Sequence, residues 1–165
     1  MIDIFTTGGT IDKIYFDALS EYQIGEPTVG HILHQAGVTE GFGIHSLMSK
    51  DSLEITEDDR KAIAKAVDDS QASRILIIHG TDTMAKTAEV VKPIAANRGQ
   101  TVVFTGAMEP ARMHTSDAVF NVACAWGALQ VVSSGVYIVM NGTVFEAGSV
   151  KKNRAAGRFE STGNN

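Results

Sequence analysis

The sequence predicts one α/β domain built as a three-layer sandwich, with a mostly parallel sheet between two layers of helices. Three observations predict it: β-rich apolar runs recur along the chain, segments of helical character separate them, and the connections are short. Parallel neighbours need crossovers, and crossover helices bury both faces of the sheet, so the strands should read as continuous apolar runs. The first run, Ile2–Phe5, opens the chain as a strand. A helix is predicted over 57–69, because Thr56 is a good cap, Glu57, Asp58 and Asp59 suit the first turn, and Ile63 and Val67 share a face. Ile75–Ile78 is the next strand, Thr83–Ala96 the next helix, Val102–Phe104 the next strand and Ser116–Val132 the next helix. Val136–Met140, the turn dipeptide Asn141-Gly142 and Thr143–Phe145 then form a β-hairpin signature. The last dozen residues, rich in Gly, Asn, Arg and Lys, read as a surface tail.

Composition narrows the functional classes. The chain has 165 residues, 44% of them hydrophobic and 20% charged, which suits one packed domain over 1–165. Its 14 Lys+Arg against 19 Asp+Glu give a net charge of −5, without the basic footprint that nucleic acid or an anionic membrane would need. Cys124 is the one cysteine, so neither an internal disulfide nor a CxxC metal site is available. The opening residues carry no basic segment followed by an apolar stretch, and no run approaches the about 18 apolar residues of a spanning helix. A cytoplasmic protein is therefore expected. Asn141-Gly142-Thr143 matches a glycosylation sequon but reads better as a tight turn.

In open α/β sheets, ligands bind beyond the carboxyl ends of the strands, so the loops after the apolar runs are where chemistry is expected. After the first run comes Thr6-Thr7-Gly8-Gly9-Thr10-Ile11-Asp12. Adjacent glycines let the backbone approach a ligand, and a neighbouring hydroxyl could act as nucleophile with main-chain N–H groups holding an oxyanion. Neither phosphate-binding glycine pattern is present, and a glycine turn capped by threonine is the plainer alternative. After the second run comes His79-Gly80-Thr81-Asp82-Thr83-Met84, which adds a second hydroxyl and a carboxylate. Either acid or hydroxyl alone would be an ordinary helix cap; two such loops converging on one pocket could attack a carbonyl and polarise water. Threonine needs a base or a charge partner. His79, ending a buried strand, reads as a hydrogen-bonded structural group; His31 and His34 read as a surface pair, and no metal is assigned. Lys151, Lys152 and Arg154 follow the hairpin, and a lysine desolvated beside Thr81 and Asp82 could shuttle protons. The residues alone do not separate Thr7 from Thr81 as nucleophile.

Thr7-Gly8-Gly9-Thr10-Ile11 followed by His79-Gly80-Thr81-Asp82-Thr83-Met84, with Val103–Met108 and Val139–Val144 in the expected order, resembles the signature segments of bacterial-type L-asparaginases. The resemblance covers nearly the whole chain and implies the fold of their N-terminal domain. It implies a threonine amidohydrolase that converts L-asparagine to L-aspartate and ammonia through an acyl-enzyme, without a cofactor. Thr7 matches the nucleophile position, and Tyr22, within Glu21–Gly25, the mobile-loop tyrosine that assists it. Thr81, Asp82 and Lys152 match a second triad, in which Asp82 also meets the substrate's α-amino group. Ser49, Lys50 and Asp51 match the segment that holds the α-carboxylate, with Ser49 as hydroxyl donor. Gly80 lies in the substrate-binding loop, and Ala107 falls where a backbone carbonyl faces the side-chain amide.

Typical members of that family are longer, with a second α/β domain that lends a carboxylate to a neighbouring protomer's site. The sequence resembles the short single-domain subgroup lacking that domain, which implies weak affinity for asparagine. Losing one charged contact to an ammonium group costs about 1.5–3 kcal/mol. Glu21, Glu109 and Glu146 are the acids available to replace it. Lys50 stands where the family has a neutral residue and could add a charge to the α-carboxylate or point to solvent. A homo-oligomer, dimer or tetramer, is the expected assembly. The alternatives are hydrolysis of another small amide, such as glutamine or D-asparagine, and amino-acid binding without turnover.

Overall fold

A computed structural model describes residues 1–16 and 18–163. The main sheet has six strands in the order β4-β1-β5-β6-β7-β8. They are β1 (Ile2–Gly8), β4 (Phe42–Lys50), β5 (Arg74–Ile78), β6 (Thr101–Thr105), β7 (Gly135–Met140) and β8 (Thr143–Glu146). All neighbours are parallel except β7 and β8, which form the hairpin predicted from Asn141-Gly142. Both turn residues have positive φ, 53° at Asn141 and 73° at Gly142, the pair of left-handed residues that a two-residue hairpin favours.

Side-chain alternation along the central strands explains the three layers. Ile75 and Ile77 point to one face with Phe5, Val102 and Phe104, where helices α2 (Glu57–Asp69) and α3 (Met84–Arg98) cover them. Leu76 and Ile78 point to the other with Ile2, Ile4 and Val103, beneath α1 (Val29–Gln35) and α4 (Ala118–Val131). Each strand is thus buried on both sides, as the continuous apolar runs require. The Thr56 cap of α2 is made as expected: Asp59 N–H donates to Thr56 Oγ1 at 3.2 Å, and Thr56 N–H donates to Asp59 Oδ2 at 2.8 Å.

Two features depart from the sequence reading. The carboxyl-terminal stretch is not merely a surface tail, because β9 (Val150–Asn153) and β10 (Arg158–Ser161) form an antiparallel pair. Val150 and Phe159 bury their side chains in the core under α3, and Phe159 N–H donates to Asn141 Oδ1 at 2.9 Å, which ties the hairpin to the β7–β8 turn. The segment around Tyr22 is also a strand: β2 (Lys13–Phe16) and β3 (Glu21–Ile24) form a two-stranded ribbon outside the main sheet. Tyr15 and Tyr22 sit opposite each other in its register, their rings edge to face at 5.5 Å.

Candidate active site

The parallel strands β4, β1, β5 and β6 deliver four loops to one edge of the sheet, in spatial order Ser49–Asp51, Gly8–Asp12, His79–Asp82 and Gly106–Glu109. The two glycine-bearing loops touch through their backbones. A Cβ on Gly9, whose φ is 90°, would lie 2.6 Å from Gly80 Cα, and one on Gly80 would lie 2.6 Å from Ser52 Cβ. The glycines therefore let two strand-end loops meet without side chains between them.

The second loop is held on several sides. Ser52 is buried after β4; its hydroxyl accepts from Asp82 N–H at 3.1 Å, and its carbonyl accepts from Thr83 Oγ1 at 2.7 Å. His79 is fully buried, with Nδ1–H donating to Gly80 O at 2.7 Å and Nε2 at 2.9 Å from Thr87 Oγ1. Because a carbonyl only accepts, the contact to Gly80 fixes the proton on Nδ1, and Thr87 supplies the donor to Nε2. Burial pushes the His79 pKa down to about 4, with the Arg60 charge opposing protonation as well, so the ring is a neutral strut beneath Thr81. It is the structural histidine that the sequence suggested.

Lys152 reaches this loop from β9. Its Nζ donates to Thr81 Oγ1 at 2.7 Å and to Asp82 Oδ1 at 2.9 Å, and Arg154 Nη2 lies 3.0 Å from the same carboxylate oxygen. Thr81 is buried, and Lys152 and Asp82 are only 17% and 24% exposed, so this charge cluster acts through a partly desolvated space. Thr81, Asp82 and Lys152 are thus brought together as the resemblance implied. Arg154 joins them through the turn after β9.

The first loop divides its threonines. Thr7 lies inside β1 with no exposure, and its hydroxyl donates to Ile78 O at 3.1 Å, across the sheet. Thr7, the expected nucleophile, lines neither of the two hollows at this edge. Thr10 lines one: it opens the one-turn helix Thr10–Asp12 just past Gly9 and borders a surface hollow with Lys13, Tyr22, Glu109, Pro110 and Met113. A second hollow on the other side of Tyr22 is lined by Lys13, Ser49, Asp51 and Glu54 among others. Lys13 and Tyr22 form the wall between them. Tyr22 is half exposed at the end of the ribbon.

The remaining expectations separate clearly. Ser49 is exposed and faces the second hollow. Lys50 does not: its Nζ is bound to both Asp59 oxygens at 2.9 and 2.8 Å, at the start of α2. That ammonium, beside the capping hydrogen bonds, holds the Asp59 carboxyl down to about 2. Lys50, expected to meet a substrate carboxylate or to point to solvent, is paired with Asp59 in this structure, and its carbonyl accepts from Gly9 N–H at 3.0 Å. Ala107 is buried against Ile11 and Val103, in a loop fastened by Asp117, which accepts from the N–H groups of Met108 at 3.0 Å and Glu109 at 3.1 Å. Of the three replacement acids, Glu109 lines the Thr10 hollow, Glu21 lies on the ribbon, and Glu146 pairs with Tyr137 toward the opposite end of the sheet.

The sequence reading assigned no role to Thr10, Lys13 or Ser52, and it named Arg154 without placing it at Asp82. Ser52 and Arg154 each lie within two or three residues of a predicted site residue, a local signal that was available. Lys13 had one too: it follows the glycine turn by four residues. A larger depression elsewhere, lined by Glu26, Thr28, His31 and Arg112, has its threonine hydroxyl already donated to Asp12 at 2.8 Å and offers no hydroxyl beside a lysine. Among the described residues, no three His, Cys, Asp or Glu side chains cluster as a metal site, and no helix is long and apolar enough to cross a membrane.

Comparison with known proteins places the fold in a family. The model of the asparaginase N-terminal domain matches residues 1–163. Escherichia coli L-asparaginase 2 is 30% identical over 162 residues, covering 92% of this chain and 46% of its own. A glutamyl-tRNA(Gln) amidotransferase component from Pyrococcus furiosus is 30% identical over 151 residues, covering 86% of this chain and 33% of its own. The solved structure of the thermostable L-asparaginase from Thermococcus kodakarensis superposes with a TM-score of 0.79 at 27% identity, over 97% of this chain and 50% of that one. The chain therefore spans between a third and a half of the length of these relatives. By its matched model, its fold and the order of its site loops, it belongs to the asparaginase family, as an N-terminal domain.

Proposed function

We propose that this domain hydrolyses the side-chain amide of L-asparagine through a threonine acyl-enzyme, with Thr10 rather than Thr7 as the nucleophile. The observation that carries the reading is the pairing of an accessible hydroxyl at Thr10 with the Thr81–Lys152–Asp82 cluster across the contact of Gly9 and Gly80. In the first step the Thr10 Oγ–C bond forms, the amide C–N bond breaks, and the Thr10 proton, relayed by the Tyr22 phenol, leaves with the nitrogen as ammonia. Main-chain N–H groups of the two glycine-bearing loops meet the oxyanion. In the second step water attacks the acyl carbon while its proton passes to the Thr81 oxygen and the Thr81 proton passes to Thr10 Oγ; the Thr10 Oγ–C bond breaks, Thr10 regains its hydroxyl and aspartate departs. Lys152 donates to the Thr81 oxygen, which turns that hydroxyl's own proton away from the ammonium and toward the leaving Thr10 oxygen. Asp82 compensates the charge of Lys152 and receives the substrate's α-ammonium, and Ser49 donates to the α-carboxylate.

The similarity to both asparaginases and an amidotransferase component supports amide chemistry at this site and leaves glutamine as the second substrate to compare. The deciding experiment is ammonia release from L-asparagine, glutamine and D-asparagine by wild type, Thr10→Ala, Thr81→Ala and Thr7→Val. Wild type should release ammonia fastest from L-asparagine, saturating in the millimolar range. Thr10→Ala and Thr81→Ala should each lose at least about a thousandfold in kcat. Thr7→Val should keep most of the activity. An inactive, folded Thr7→Val beside an active Thr10→Ala would return the nucleophile to Thr7, and tight binding of asparagine without ammonia release would leave a binding domain.

A further inference from the structure

We propose that Lys13 is a specificity residue of this site: its ammonium receives the carboxylate of the substrate together with the Ser49 hydroxyl, so that amides bearing a carboxylate are selected. The inference rests on the amidohydrolase reading for its substrate but not for its geometry. Lys13 closes the turn that carries Thr10, its N–H donating to Thr10 O, and residues three apart on such a turn project to the same side. Its side chain accordingly lines the hollow that contains Thr10 and also the adjoining one that contains Ser49. Among the described residues, no other lysine or arginine lines either hollow.

The partner of Lys13 is Asp51, whose Oδ2 lies 2.8 Å from Nζ. Asp51 is itself committed to main chain, since its Oδ1 accepts from Leu53 N–H at 3.1 Å. The pair is 27% and 31% exposed, so a carboxylate entering beside Ser49 can share the ammonium without the pair being dismantled. An ammonium has three donors, and Asp51 uses one of them. The ammonium beside Asp51, through its hydrogen bond, holds that carboxyl below its ordinary range, so Asp51 stays ionised as the partner of Lys13. A lysine ammonium donates hydrogen bonds and accepts none, which suits it to binding an anion. A position within the turn of the nucleophile thus fixes the distance between the anionic end of the substrate and the hydroxyl that attacks its amide.

The test compares wild type, Lys13→Met and Lys13→Arg by two readouts. Calorimetric titration with L-aspartate, the product, should show binding weakened about ten- to a hundredfold in Lys13→Met and largely recovered in Lys13→Arg. Steady-state ammonia release should show the same factor in KM for asparagine with kcat changed less than threefold. With 3-aminopropanamide, which keeps the ammonium and the amide but lacks the carboxylate, Lys13→Met and wild type should perform alike. Wild type that turns over asparagine while Lys13→Met binds aspartate equally well overturns the role of Lys13 and leaves the amidohydrolase reading standing. Wild type that releases no ammonia, but binds aspartate in a Lys13-dependent way, overturns the hydrolytic reading and leaves the anion site standing. A loss in kcat alone, with unchanged aspartate binding, would make Lys13 a support for the Thr10 turn and not a ligand.

Discussion

The two halves of the cleft are built to different degrees of completion. On the Thr81 side, each polar group has a partner: the hydroxyl has Lys152, Lys152 has Asp82, Asp82 has Arg154, and the loop beneath is braced by Ser52 and His79. On the Thr10 side, neither the Thr10 nor the Tyr22 hydroxyl has a hydrogen bond among the described residues, and Tyr22 stands half exposed on a two-stranded ribbon that is not part of the main sheet. An isolated two-stranded ribbon is marginally stable in water, whereas groups fixed at the ends of buried strands keep their geometry. The contrast teaches that the charged half is held by the protein's own groups, while the Thr10 half leaves its hydroxyls without a protein partner among the described residues.

The largest expected effect breaks the preorganised half. Lys152→Met removes the one ammonium that touches both Thr81 and Asp82, leaving Arg154 to hold Asp82 from a more exposed position. In the proposed mechanism that side chain orients the Thr81 proton, so kcat for asparagine should fall by about a hundred- to ten-thousandfold. KM should move much less, and an accumulating acyl-enzyme, visible as a mass increase on the protein, should show that the second step is the one slowed. A variant with kcat within threefold of wild type would mean that the charge cluster is architecture only.

A smaller effect concerns the brace under the same half, and its sign follows from the buried state of His79. The folded pKa is held near 4, below the ordinary value of 6.5, so the unfolded chain takes up a proton in that interval and the folded chain does not. Stability contributed by the neutral ring is therefore complete above about pH 6.5 and is lost as pH falls toward 4, by about 3 kcal/mol at 1.36 kcal/mol per unit. Asp12, whose carboxyl burial raises, works in the opposite direction, so the comparison should be made against His79→Gln. Denaturant unfolding between pH 4 and 7 should give a wild-type curve that rises with pH more steeply than that of His79→Gln. Parallel curves would show that the ring is protonated in the folded protein.

How legible each half was in the sequence follows from the same contrast. Thr81, Asp82 and the helix they precede lie directly after Ile75–Ile78, an apolar run whose end coincides with the end of β5, so the loop and its chemistry could be placed together. The 57–69 helix was equally plain, since its cap and first-turn acids are local features that the structure realises unchanged. The Thr10 half was harder because apolarity stops at Phe5 while β1 continues to Gly8. Thr6 and Thr7 are polar residues in strand conformation, and only the pairing of Thr6 with Ile78 and Ser46 in neighbouring strands reveals that Thr7 is spent on the sheet. β4 was not legible as a strand, being an edge with polar and exposed positions at His45, Ser46 and Ser49. The β9–β10 pair was hidden because two anchors, Val150 and Phe159, fix an otherwise polar segment.

The smallest expected effect tests whether proximity to the cleft in sequence was mistaken for membership of it. Lys50 lies between Ser49 and Asp51, both of which line the Ser49 hollow, yet its ammonium is bound to both oxygens of Asp59 at the head of α2. Successive residues of an extended strand point to opposite sides, so a lysine next to an inward-facing Ser49 is carried away from it. Lys50→Ala should therefore leave KM for asparagine within about twofold, while Lys13→Met raises it at least about tenfold, and the ratio of the two effects measures the difference. If Lys50→Ala instead raised KM as much as Lys13→Met, the ammonium would have to leave Asp59 when substrate binds. The Asp59→Asn variant, which frees Lys50, would then lower KM; with the pairing as described, that variant should leave KM unchanged, because the cation that meets the substrate is on the Thr10 turn.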